Sequence, residues 1–183
     1  MRIVSGSTTS PTALLREEHR VILRALVLVE VAAGRLGAGR PLPAGWWDEA
    51  LEWLRVFADR NHHAKEEQHL FPALGQAGVP ADGGPVGVML AEHAEGRALL
   101  LAMAEGGGVD RRVEAARRYV HLLRDHIDKE NEVLLPLSDA VLDAPALQRV
   151  AQGFEEIAGA HGRGAAVERA EAVVDRLAAA LEP

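Results

Sequence analysis

Segments 62–72 and 126–136 of this chain both read H-x-x-K-E-x-x-x-L-x-P, at an offset of 126 − 62 = 64 residues. The chain has only two lysines, Lys65 and Lys129, and both occupy the same slot of that repeat. A looser pair, Glu18-His19 and Glu92-His93, precedes each copy. The order EH, HxxKE, EH, HxxKE describes a helix hairpin written twice. A repeat carried by polar rather than apolar residues asks for a chemical explanation.

The apolar spacing around the repeat is helical throughout. From a cap at Thr9, Ser10 and Pro11 to about Leu36, the positions Leu15, His19, Ile22, Leu26, Val29 and Ala33 recur in steps of four and three, one stripe of a helix. A second helix is predicted from about Trp46 to Leu74. A third, from about Pro85 to Ala104, carries Val86, Met89, His93, Gly96 and Leu100 on one face. GGG at 106–108 ends it. A fourth runs from about Val109 to Leu142, with Tyr119, Leu123, His126, Glu130, Val133, Leu137 and Val141 as its stripe. No segment alternates with the period of two that marks a strand. The fold expected is all-α: one domain over 1–183, an antiparallel up-down-up-down four-helix bundle at about 11–142 with a C-terminal helical extension at about 145–182. The extension reads as two weaker helices, roughly Ala146 to Ala160 and Ala165 to Leu181, separated by HGRG. They either cap the bundle or mediate an interface.

Composition narrows the chemistry. The chain has 183 residues, eight histidines and no cysteine, so disulfides, thiolate metal sites and cysteine nucleophiles are excluded. Any metal must be held by nitrogen and oxygen. The balance of 20 Lys plus Arg against 27 Asp plus Glu gives a net charge of −7 and no hint of a nucleic-acid-binding face. The N-terminus lacks the apolar run of a secretory signal, and no stretch approaches the ~18 apolar residues of a membrane span. A cytoplasmic protein without nucleic-acid or membrane partners is expected.

Residues at i and i+4 of a helix lie roughly 6 Å apart along its axis on one face. His126 and Glu130 therefore share the inward stripe of the fourth helix, and His19 and His93 lie on the stripes of the first and third. In the second helix, His62 with Glu66 and His63 with Glu67 have the same spacing. The match of Lys65, Leu70 and Pro72 to Lys129, Leu134 and Pro136 favours the first pair. Four imidazoles and two carboxylates would then converge at mid-bundle. Burying them without compensating cations costs several kcal/mol per charge. A dinuclear centre with two bridging carboxylates and two imidazoles per ion resolves this, and such ligation suits iron or manganese better than structural zinc.

This pattern resembles the hemerythrin-like, or HHE cation-binding, proteins. The residues that carry the resemblance are H…HxxxE…H…HxxxE together with KEEQHLFP at 65–72 and HIDKENEVLLP at 126–136. It covers about residues 12–142, and FEEIAGAHGRG at 154–164 is similar to the tail of many bacterial members. The resemblance implies a four-helix bundle around a non-haem di-iron site, with two oxo- or hydroxo-bridged irons for which manganese or zinc can substitute. The implied metal ligands are His19, His62, Glu66, His93, His126 and Glu130, with His19 and His62 on one iron and His93 and His126 on the other.

The function implied is binding of O2, NO or peroxide at the metal centre, in sensing, stress response or iron handling. The alternative is a di-iron enzyme for peroxide or NO reduction, ferroxidation or repair of iron–sulfur centres. Two departures weigh on these roles: Arg97 stands where oxygen carriers have a further histidine, and the cysteine-containing segment common in repair proteins is missing. Outside the repeat, His69 reads as a partly exposed helix residue, and His121 and His161 as solvated. Tyr119, Trp46, Trp47, Trp53 and Phe57 read as packing. The charged ends of Lys65 and Lys129 are expected to reach solvent.

Overall fold

The computed structural model describes residues 10–105, 107–160 and 166–182. Thr9 of the expected cap, Gly106 of the GGG break, and 161–165, which include His161, lie outside the described residues. The described chain is helical, without strands. Helix α1 is Pro11–Gly37, opened by Ser10, whose Oγ accepts from the Ala13 amide at 3.1 Å. Helix α2 spans 46–76, α3 is Pro85–Ala104, α4 spans 109–141, α5 is Ala144–Ala160 and α6 is Ala166–Ala180. Among these helices, none is long and apolar enough to cross a membrane.

The helices α2 and α4 are not regular. α2 is π-helical at Leu54–His63 and again at Glu66–Leu70, and α4 at Glu130–Leu134. A π-turn inserts an extra residue, so each residue rotates the chain through less than the ~100° of an α-helix. This overturns part of the expected stripe of the fourth helix. Up to Glu130 the stripe is buried, but Val133 is 53% exposed and Val141 is also on the surface. Leu134, Leu135, Ser138 and Leu142 face inward instead. The inner face has slipped by one position.

The L-x-P end of the repeat explains where two of these three π-helical segments fall. Pro72 and Pro136 lack the amide hydrogen, and their rings clash with the carbonyl four residues back in an α-helix. A widened turn just before each proline, Glu66–Leu70 and Glu130–Leu134, relieves that clash.

Two apolar clusters flank the centre of the bundle. One gathers Ile22, Phe57, Leu99 and Ile127 with the three tryptophans; the other gathers Leu15, Leu70, Met89 and Leu134 with Phe154. The histidines and glutamates of the repeat occupy the layer between them. Along α1 and α3 the chain passes from the second cluster to the first, and along α2 and α4 from the first to the second.

The C-terminal helices cap this bundle along α1 and α2. The indole N–H groups of Trp46 and Trp53 donate to the Leu177 and Ala170 carbonyls of α6 at 2.8 and 3.1 Å. Arg176 of α6 reaches Glu49 at 2.6 Å. In α5, Phe154 lies edge-on to His69, and Gly153 packs so closely that a Cβ there would run into the His69 ring. His69 is thus a packing partner of α5.

Candidate metal centre

The structure brings all six sequence-derived residues together, fully buried, at the middle of the bundle. His19 comes from α1, His62 and Glu66 from α2, His93 from α3, and His126 and Glu130 from α4. Their ligand atoms fall into two groups that share the glutamates: His19, His62, Glu66 and Glu130, and Glu66, His93, His126 and Glu130.

The outer face of each imidazole is committed. Nδ1 of His62 meets Glu18 Oε2 at 2.9 Å, Nδ1 of His93 meets Glu67 Oε1 at 2.7 Å, and Nδ1 of His126 meets Glu92 Oε2 at 3.0 Å. Nδ1 of His19 meets Asn131 Oδ1 at 2.9 Å, an oxygen that Arg16 also approaches. Ionised carboxylates only accept hydrogen bonds, so these Nδ1 atoms carry the protons. In the neutral rings the Nε2 lone pairs then point inward. Nε2 of His19 and His62 lie 3.0 Å apart, and those of His93 and His126 lie 3.1 Å apart. Facing lone pairs at that distance repel unless a proton or a cation lies between them. Nitrogens on adjacent corners of an octahedral ion, with bonds of about 2.1 Å, are separated by about 3.0 Å.

The carboxylates complete the pattern. Glu66 offers Oε1 to His62 Nε2 at 3.7 Å and Oε2 to His93 Nε2 at 3.4 Å. Glu130 offers Oε2 to His19 at 3.0 Å and Oε1 to His126 at 3.4 Å. Each carboxylate therefore gives one oxygen to each imidazole pair, which is the arrangement of a bridging ligand. None of these four oxygens makes a hydrogen bond of acceptable geometry, although all are buried. Buried oxygens without donors, facing imidazole lone pairs, fit a pair of cations.

Without cations the cluster redistributes its protons. Burial, reinforced by the Glu130 carboxylate, pushes the Glu66 carboxyl well above its usual range. Burial acts on Glu130 in the same direction but is outweighed by His126, His19 and His62, which hold it low. Burial likewise opposes protonation of His19, but Glu130 and Glu66 raise its pKa. His62 is driven well below the usual histidine range by burial and by His19. At pH values below their raised pKa values Glu66 and His19 hold protons that a bound metal has to displace. Apparent metal affinity should fall as pH drops, about tenfold per pH unit for each proton displaced, in chelator competition followed across pH. An affinity independent of pH would contradict this proton arrangement.

The repeat also specifies the supports, which the sequence displayed without revealing their role. Lys65 Nζ bonds Glu18, and Lys129 Nζ bonds Glu92. The EH dipeptides thus supply an inward histidine from one helix and an acceptor for a histidine of the next. The position after each shared glutamate, Glu67 or Asn131, accepts from the remaining histidine. The expectation that both lysine ends reach solvent holds for Lys129, which is 44% exposed and pairs with Glu92 at the surface, and is corrected for Lys65, which is 1% exposed with its Nζ 6.0 Å from the Phe154 ring. Arg97 turns outward, donating to Asp59 and Glu67 at 2.7 Å each. Among the residues outside the six, Tyr119 is buried with an unpartnered hydroxyl, and His121 is 81% exposed on the surface. His63 is buried too, and burial and His93 keep it well below the usual histidine pKa.

A family model, the hemerythrin HHE cation binding domain, matches residues 10–138. Similar curated proteins include uncharacterized proteins of Mycobacterium bovis and Mycobacterium tuberculosis, each 29% identical over 157 residues. That alignment takes in 81% of this chain but only 60% of the length of those relatives. No solved structure matches the chain.

Proposed function

The chain belongs to the hemerythrin HHE cation-binding domain family, and from that premise we propose that it is a cytoplasmic non-haem di-iron protein that binds O2, NO or peroxide. Its role would lie in sensing, stress response or iron handling. The observation that carries this reading is the set of four unpartnered carboxylate oxygens facing two pairs of inward imidazole nitrogens. His19 and His62 would hold one ion and His93 and His126 the other, with Glu66 and Glu130 shared. Nitrogen and oxygen donors in this number favour iron, whose redox chemistry would supply electrons to a small exogenous ligand.

The chain's own residues keep the site ready for metal. Glu18, Glu67, Glu92 and Asn131 fix the ring tautomers, and the two apolar clusters exclude bulk water. The alternation of the clusters along successive helices supports the antiparallel up-down-up-down order.

The test is metal analysis and an ultraviolet–visible spectrum of aerobically purified protein. About two equivalents of iron, with an oxo-to-ferric charge-transfer band that responds to azide, is the expected result. Less than half an equivalent of any transition metal, with a melting temperature indifferent to chelator, would overturn it.

A further inference from the structure

The 64-residue repeat is broken at one buried position. His63 follows His62, and its counterpart, following His126, is Ile127. Both are buried, at 3% and 1% exposure. Ile127 belongs to the apolar cluster around the tryptophans, whereas His63 turns toward the metal layer. The π-turn at Leu54–His63 makes this placement available, because adjacent residues there diverge less around the helix axis and both His62 and His63 can face inward.

His63 stacks on His93 with ring centroids 3.9 Å apart and meets His126 edge-on at 5.7 Å. Ligand nitrogens of His63, His93 and His126 all lie within 4.8 Å of one another. Neither ring nitrogen of His63 makes a hydrogen bond; Nδ1 stands 3.6 Å from Asp59 Oδ1. A buried imidazole with no hydrogen bond is costly, and this one stands beside two imidazoles whose inward nitrogens face a candidate cation position.

Building on the di-metal reading above, we propose that His63 is a further ligand of the metal held by His93 and His126, which makes the centre asymmetric. That ion would take three imidazoles and two carboxylate oxygens, and the ion held by His19 and His62 only two imidazoles and two oxygens.

Cobalt(II)-loaded full-length protein tests this without mutation. Each imidazole bound to a paramagnetic cobalt ion gives one exchangeable, hyperfine-shifted N–H proton resonance. The expected spectrum at two equivalents of cobalt has five such resonances, and the His63→Leu variant has four. Chelator competition should also show at least a tenfold loss of affinity for one of the two cobalt ions in His63→Leu. Two bound cobalt ions with only four resonances in the wild-type protein would overturn the assignment of His63 while leaving the di-metal reading standing. Uptake of fewer than two ions by the wild-type protein would overturn both. A His63→Leu variant that does not fold does not affect the test, because the wild-type spectrum decides it.

Discussion

Replacing Glu66 by alanine should take bound metal from two equivalents to one or none, and Glu130→Ala should do the same. Each carboxylate places one oxygen toward each imidazole pair, Glu66 toward His62 and His93, Glu130 toward His19 and His126. Losing either therefore removes an oxygen donor from both ions at once and also removes a bridge. Glu67→Ala provides the contrast. It removes the acceptor behind His93 Nδ1 and a partner of Arg97 but neither of the shared carboxylates, and support of that kind alters affinity by about 10- to 100-fold rather than stoichiometry. Metal analysis after desalting, with circular dichroism as the check on folding, measures both. A folded Glu66→Ala protein that retained two tightly held ions would contradict the bridging arrangement.

Lys65→Met should destabilise the metal-free protein by about 3–5 kcal/mol, whereas Lys129→Met should cost about 1 kcal/mol or less. Although the two lysines occupy identical slots in the repeat, their surroundings differ. Lys65 and its partner Glu18 are both buried, so removing the ammonium leaves an ionised carboxylate in the core, held only by Asn61 and His62. Lys129 is substantially exposed, and water can take over its role toward Glu92. Urea unfolding of the two variants, with metal removed, measures the difference through the shift in midpoint at constant slope. Equal losses would show that burial does not separate the two pairs.

Much of this arrangement was legible in the sequence, because the helices of the first and third segments are regular. Every residue of the stripes Leu15 to Ala33 and Val86 to Leu100 is buried as their spacing requires. The inward direction of His19 and His93 follows directly. The fourth helix was legible only as far as Glu130. Beyond it, a period of 3.6 assigns Val133 to the core, and the π-turn places Leu134 there. The signal for that turn was present as Pro136, and as Pro72 in α2. A proline inside a helix can produce a kink, a break or a widened turn, and tertiary packing decides which.

The supports were legible as a pattern without a function. Glu18-His19 and Glu92-His93 stood out as repeats, but which helix each glutamate serves depends on how the helices pack. Lys65 was misjudged because lysine ordinarily extends to solvent. Here α5 lies over it, and nothing in the local spacing of α2 announces that cover. His63 posed the hardest problem. As the rival register to His62 it looked redundant, and only the reduced rotation of a π-turn lets two successive histidines face the same layer.

The helices α5 and α6 cover one hairpin of a duplicated structure and leave the other in contact with water. The Glu18–Lys65 pair is insulated in low dielectric, and the chemically identical Glu92–Lys129 pair is solvated. Duplicated residues therefore do not give duplicated electrostatics. Dissolved ions and bulk hydration act on the centre through His93 and His126, whose carboxylates Glu67 and Glu92 are partly exposed, while His62 answers to a fixed charge that ionic strength scarcely reaches.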